Sequence, residues 1–451
     1  MAERFDVVIV GARCAGAPLA ALLARQGVAT AVVDKATFPS DTPSTHFFQN
    51  DGGRVLAALG VLDDVLRAGA PWMERVDLRI DGLRMAHRWP RRPDDPGPLL
   101  SVRRPVLDTL LVEAAEKAGA TVRTGTRVTG LVQEGGRVTG VRVGGGHRAP
   151  GGDGESTIGA TVVVGADGTG SAVARHTGAR SYNTVPNQRL ACWAYYEGAA
   201  APEPATFFAQ RWDEEYVIAG PCDAGLYLVV VIPPVERASQ FREDVEGAFD
   251  AHVAACEPVA AVVAGATRVG RPSLVTRWTG FFRESAGPGW VLVGDAGHFK
   301  DPSPGQGITD ALRQAERLAG TIVEGLGGGG PLDAALRDWW RWRDADAREM
   351  AWFAHDLGRG GRVPPVLIEL LHGLESDPDM VDRWFDVLNH RVRPSAILTP
   401  VRLLAATARL LREGGPSRAQ VLVDTREIVA QDLRRRWLNH RPRYADAASG
   451  S

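Results

Sequence analysis

The opening segment constrains this chain most. An apolar run, Phe5–Val10, leads into Gly11-Ala12-Arg13-Cys14-Ala15-Gly16, then an Ala/Leu-rich stretch to Gln26 stopped at Gly27, then a second apolar run, Ala29–Val33, ending in Asp34. A short, continuously apolar run reads as a strand buried on both faces, and an apolar stretch closed by glycine reads as a helix. Strand, glycine turn, helix and strand in that order predict a βαβ unit and an α/β fold on a parallel sheet. Backbone N–H groups at the turn and the positive end of the helix suit a pyrophosphate. Asp34 lies 23 residues after Gly11, close to the spacing at which a carboxylate takes ribose hydroxyls. The middle glycine of the usual G-x-G-x-x-G is Arg13 here, so that side chain must point outward or flank the phosphate as a counter-charge. An ordinary βαβ unit with a glycine turn has the same pattern.

Two later strand ends repeat the theme. Val162–Gly165 runs into Ala166-Asp167-Gly168, followed by Ser171 and Arg175. A carboxylate at that edge lies where open α/β sheets bind ligands, although a plain Asp-Gly turn reads alike. Trp290–Val293 runs into Gly294-Asp295-Ala296-Gly297 and on through Asp301-Pro302-Ser303-Pro304-Gly305-Gln306-Gly307-Ile308 to a helix predicted to reach about Glu324. Asp295 suits polyol hydroxyls, Gly305 and Gly307 let backbone lie against a planar ring, and the helix start favours negative charge.

Elsewhere, Val76, Leu78 and Ile80 alternate before Asp81-Gly82, a hairpin signal. Helices are predicted over Val55–Arg67, Pro105–Ala118 and Phe241–Cys256, and a Gly-rich loop over Gly144–Ser156. From Ser181 to about Val275 the pattern is mostly β, and from Leu332 to about Ala445 helical. At 451 residues, 44% hydrophobic and 24% charged, the chain has the make-up of a soluble globular protein of two or three domains or one composite fold. A net charge of −2 gives no support for nucleic acid or an anionic membrane surface as a partner. Cys14, Cys192, Cys222 and Cys256 are far apart, so neither a disulfide framework nor a metal site is expected. There is no leader pattern, and the longest uncharged, mostly apolar stretch, Ala224–Val235, is too short to cross a bilayer, so a cytoplasmic protein is expected.

Together and in this order, the three motifs resemble the FAD-dependent family of para-hydroxybenzoate-hydroxylase type, the single-component aromatic monooxygenases. Their superfamily also holds geranylgeranyl reductases and flavin-dependent halogenases. The stretches GARCAG, DTPSTHFF, SVRRPVLDTLL, VVGADGTGS and GDAGHFKDPSPGQGITDA carry the resemblance, over roughly residues 5–350. It implies a discontinuous Rossmann-like FAD-binding domain of glutathione-reductase type (1–75, 100–180 and 276–330), an inserted, mostly β substrate domain (76–99 and 181–275) and a helical C-terminal region (331–451).

On the matching positions, Gly11, Cys14, Ala15 and Gly16 would bind the FAD pyrophosphate and Asp34 the ribose, with Lys35 among the cofactor contacts. Arg104 would reach the phosphates, Val128 the adenine through its backbone, and Asp167 would belong to the DG motif. Asp295 would hold the ribityl chain, and Pro302, Gly305, Gly307 and Ile308 would border the isoalloxazine. Segment Ser40–Phe48 would run beside the ring, with Thr45 as a cofactor contact and His46 as the candidate catalytic residue.

The resemblance further implies tightly held, non-covalent FAD, NAD(P)H as a transient co-substrate, and O2. The substrate would be an aromatic or polyketide-like molecule of specialised (antibiotic) metabolism, hydroxylated through a flavin C4a-hydroperoxide. A double-bond reductase of geranylgeranyl-reductase type and a non-redox cyclase with FAD as scaffold are the alternatives. The halogenases' Trp-x-Trp-x-Ile-Pro motif is missing. Lys300 is expected as a solvated loop charge, and Trp193, Tyr195, Tyr196, Tyr216 and Tyr227 as sheet core or pocket wall.

Overall fold

The computed structural model describes residues 3–44, 46–144, 156–375, 377–414 and 416–445. Thr45 and nearly all of the expected Gly-rich loop, 145–155, lie outside the described residues.

Two sheets organise the chain. In the first, Ala286–Gly287, Trp290–Leu292, Ser156–Gly165, Glu3–Val10, Thr30–Val33 and Thr121–Arg123 lie side by side in that order. The hairpin Arg127–Glu134 and Arg137–Gly144 attaches antiparallel to Ser156–Gly165. The apolar runs of the three motif strands are covered on both faces, as parallel strands must be. Helices Gly16–Arg25, Arg104–Lys117 and Gly307–Leu326 cover one face through Leu19, Leu107, Leu111 and Leu312. The hairpin and the short helix Ala172–Thr177 cover the other.

The second sheet has seven strands, with Thr267–Val275, Ala191–Glu197, Tyr227–Val231, Glu215–Pro221, Thr206–Trp212, Arg75–Ile80 and Leu83–Arg88 in that order. Alternation along Ala191–Glu197 sends Cys192, Ala194 and Tyr196 to a core under helices Ala238–Glu243 and Val245–Ala255. Trp193 and Tyr195 go to the opposite core, shared with the C-terminal helices Pro365–Glu375, Pro378–Leu388 and Pro400–Glu413. No helix among the described residues is long and apolar enough to cross a membrane.

The structure differs from the sequence reading in three places. The helix expected over Val55–Arg67 is two, Asn50–Ala58 and Leu62–Arg67, because Gly60 takes a left-handed φ of 71° and ends the first. The helix near Phe241–Cys256 breaks at Asp244, whose carboxylate accepts from Gly247 N–H and starts a new one. Ser181–Pro186 does not join the large sheet but pairs with Thr279–Arg283, which pairs with His298–Phe299. Of that strand only Tyr182 is buried, in a small core with Phe282 and Ala347, so it has no apolar row to offer the large sheet.

Candidate active site

Strand register gathers the motifs. Val10 stands opposite both Gly165 and Val33, and Gly165 stands opposite Leu292. The residues that follow, Gly11, Asp34, Ala166–Asp167 and Gly294–Asp295, therefore emerge at one sheet edge. A cavity of about 580 Å³ opens there, walled on its far side by Trp193 and Val230 of the second sheet.

The glycine turn is built for close approach. Gly11 has a φ of 101°, and a Cβ on it would lie 2.4 Å from the Ala166 carbonyl oxygen. A Cβ on Gly16 would lie 1.8 Å from the Gly11 carbonyl oxygen, so the helix can abut the turn only as glycine. Gly16 thus shapes the turn without lining the cavity, whereas Gly11, Cys14 and Ala15 line it. Among the described residues, no acceptor takes the Cys14 or Ala15 amide. Asp34 holds the turn open: its carboxylate accepts from Ala12 N–H and from Ala36 N–H, both at 2.8 Å, and both oxygens keep a lone pair toward the cavity, which Lys35 also lines.

Arg13, the departure from the usual glycine, turns sideways. Its guanidinium donates to Asp108 at 2.6 Å and to Ser40 Oγ at 2.8 Å and lies over the Phe38 ring. Asp108, absent from the sequence reading, is fully buried and also accepts from Arg104 Nε and Nη2 and from Cys14 Sγ. One carboxylate thus orients Arg104 at the cavity wall and ties it to the glycine turn. Burial pushes the Cys14 thiol well above its usual range.

The two remaining motif carboxylates have opposite fates. Asp167 lines the cavity, but its oxygens accept from Ser171 Oγ at 2.5 Å and Ala172 N–H at 2.6 Å, anchoring the helix start. Asp295 also lines the cavity, and among the described residues nothing donates to its carboxylate. Burial pushes its pKa up to about 6, against the pull of Arg104. Its turn is fixed from behind by Gln314, whose side-chain oxygen accepts from Gly294 N–H at 3.0 Å; no motif marks that residue.

Pro302, Gly307 and Ile308 line the cavity, and a Cβ on Gly307 would meet only open space. Gly305 does not line it: its φ is 65° and its carbonyl accepts from Gln49 Nε2 at 3.1 Å, a turn-forming role. Lys300 corrects the expectation of a solvated charge. It is buried at the cavity wall, its Nζ 2.6 Å from Asp310 and 2.8 Å from Gln306 Oε1. Burial alone would raise Asp310, but Lys300 and His390 outweigh it and hold the carboxyl well below the usual range.

His46 is placed differently from the expectation as well. Its side chain is wholly buried but does not line the cavity, although Thr42, Pro43 and Ser44 beside it do. Its Nε2 is hydrogen-bonded to the Tyr195 hydroxyl, and burial, helped by Arg104, holds its pKa down at about 3. The imidazole is therefore neutral at ordinary pH. Val128 lines the cavity, beside Thr126 and Arg127.

An unpaired carboxylate, two free amides at a helix start and an open glycine backbone in one cavity fit a flavin dinucleotide: amides for phosphates, Asp34 and Asp295 for hydroxyls, Gly307 for a flat ring. The fold and the site define a dinucleotide-binding flavoenzyme. The sequence family described as FAD binding domain matches residues 4–337, and the chain belongs to it. The chain is 29% identical over 330 residues to the 6-methylpretetramide 4-monooxygenase of Streptomyces rimosus, covering 71% of this chain and 76% of that protein. It is 28% identical over 378 residues to the digeranylgeranylglycerophospholipid reductase of Methanocella arvoryzae, covering 77% and 84%. The solved structure of flavin-dependent brominase Bmp2 matches with a TM-score of 0.75 at 19% identity, over 91% of this chain and 100% of that one, a likeness of fold. The chain is an FAD-dependent oxidoreductase with monooxygenases among its relatives.

Proposed function

We propose that this oxidoreductase is an NAD(P)H-dependent monooxygenase that hydroxylates an aromatic or polyketide-like small molecule. The reading is carried by the continuity of the cavity: the wall of Asp295, Gly307 and Ile308 runs into Phe47, Trp193, Val230, Val275 and Trp278. A planar apolar substrate fits against that aromatic wall, beside the ring-binding loop. FAD bound here supplies the acceptance of hydride from NAD(P)H and the activation of O2.

The chain's own residues bind, orient and keep out water. The Cys14 and Ala15 amides take the phosphates, Asp34 and Asp295 the hydroxyls, and the helix start at Gly307 favours the electron-rich edge of the ring. Trp278, held by its Nε1–H donating to Asp301 at 3.0 Å, and Trp193 shape the substrate side and exclude water. His46, neutral and tied to Tyr195, acts as a positioning residue for the cavity-lining segment Thr42–Ser44.

The test is to follow NADH and NADPH oxidation by the purified flavoprotein against a panel of phenols and polyketide-like compounds, under labelled O2. Substrate-stimulated oxidation with label in the product is the expected result. Anaerobic reduction of a substrate double bond would assign the reductase chemistry instead, and turnover without NAD(P)H and O2 would assign a cyclase.

A further inference from the structure

Soluble folds usually scatter single apolar side chains over their surface. Among the described residues of this chain they are gathered. Of nine large hydrophobic side chains that stand exposed, seven lie on two neighbouring helices, Pro400–Glu413 and Arg418–His440. Val401 (76% exposed) and Leu404 (61%) project from the first. Leu422, Val429, Leu433 and Trp437 form a row along the second, opposite the face that buries Val421. At 3.6 residues per turn the row spans an arc of about 80°.

The same segment is strongly basic. Residues 400–443 hold ten arginines and four carboxylates, net +6, in a chain whose net charge is −2. Arg412, Arg418, Arg426, Arg434 and Arg441 are exposed and form no ion pair among the described residues. Arg418 and Arg426 fall in or beside the apolar row. An apolar row edged by free guanidinium groups is what an anionic lipid surface takes up: the row sinks into the acyl boundary while the arginines reach the phosphates. A second copy of this chain fits poorly, because the contact would set +6 against +6.

We infer that Pro400–Glu413 and Arg418–His440 form a docking face for an anionic membrane surface. The second helix meets the active-site wall through its other side: Trp352 Nε1–H donates to Asn439, on the Val421 face, at 3.2 Å, and Trp352 borders a small void that shares Trp278, Lys300 and Asp301 with the main cavity. The inference does not rest on the proposed oxygenation.

The test is co-sedimentation of the FAD-loaded protein with phosphatidylcholine vesicles, with and without about one-third phosphatidylglycerol. Partition at least about tenfold tighter to the anionic vesicles, relieved by high salt, is expected. The L433E/W437S variant loses binding to both vesicle types, and R418E/R426E loses only the preference for anionic lipid, each keeping wild-type FAD content and melting temperature. No enrichment on anionic over neutral vesicles overturns the inference. So does a wild-type dimer in sedimentation velocity that L433E/W437S splits, which assigns the face to a second copy.

Discussion

Replacing Asp295 by asparagine is expected to move two measurements in opposite directions. The carboxylate has no donor among the described residues, and burial lifts its pKa from 3.8 to about 6. A rise from 3.8 to about 6 is worth about 3 kcal/mol, reduced to about 2 because the residue keeps some exposure. The proton is held more tightly by the folded chain, so the stabilising contribution is complete below pH 3.8 and is lost as pH rises through about 6. At pH 8 the wild-type apoprotein therefore bears the full desolvation penalty, and Asp295→Asn removes it. Urea titration of the apoprotein should find the variant about 2 kcal/mol more stable at pH 8 and no more stable at pH 4. FAD binding should go the other way. A charged acceptor for ribityl hydroxyls contributes about 1.5–3 kcal/mol, so the variant should bind FAD about 10- to 100-fold more weakly by fluorescence quenching. A variant with wild-type stability at pH 8, or with unchanged FAD affinity, would refute the idea that this carboxylate is kept unpaired for a ligand.

Three further outcomes follow from the same geometry. Asp108→Ala strands the Arg104 and Arg13 guanidinium groups and should cost about 3–5 kcal/mol in urea titration, with Asp108→Asn in between; a loss under about 1 kcal/mol would contradict the buried ion lock. Gly16→Ala forces a Cβ to 1.8 Å from the Gly11 carbonyl oxygen, so the turn must deform and the protein should purify without flavin absorbance. His46, at a φ of 64° that asparagine tolerates, stays neutral when folded, so the wild type loses stability as pH falls from 6.5 through about 3. His46→Asn should show a shallower decline over that window in acid denaturation, and an identical slope would mean that the imidazole takes up a proton in the fold.

What the sequence made legible was local. Period and punctuation located the motif strands, and the Gly11–Gly16, Asp34 and Gly294–Asp295 spacings put their residues at one sheet edge, because parallel register follows from strands buried on both faces. What stayed hidden depends on partners distant in the chain. Asp108 sits in the middle of a helix with nothing to mark it, and it matters only because the glycine turn, 94 residues earlier for Cys14, lies against that helix. Gln314 carries no motif, and it matters only because its side-chain oxygen accepts from Gly294 N–H, 20 residues earlier. Lys300 reads as a loop charge because its two anchors come later in the chain, Gln306 capping the next helix and Asp310 in that helix's first turn.

The Arg13 departure shows how one such hidden partner reshapes a motif. A glycine at that position lets backbone approach phosphate and asks nothing of its neighbours. An arginine must be given a place, and here Asp108, Ser40 and Phe38 fix it at the cavity wall. The same Asp108 fixes Arg104 at the cavity wall, so the residue that orients the Arg13 side chain also sets a second cation where phosphate negative charge is expected. The ion lock further binds the turn to Ser40, two residues before Thr42–Ser44 begin to line the cavity. Loss of the motif's middle glycine is thus offset by a wired unit of turn, helix and lining segment, which a glycine could not have joined.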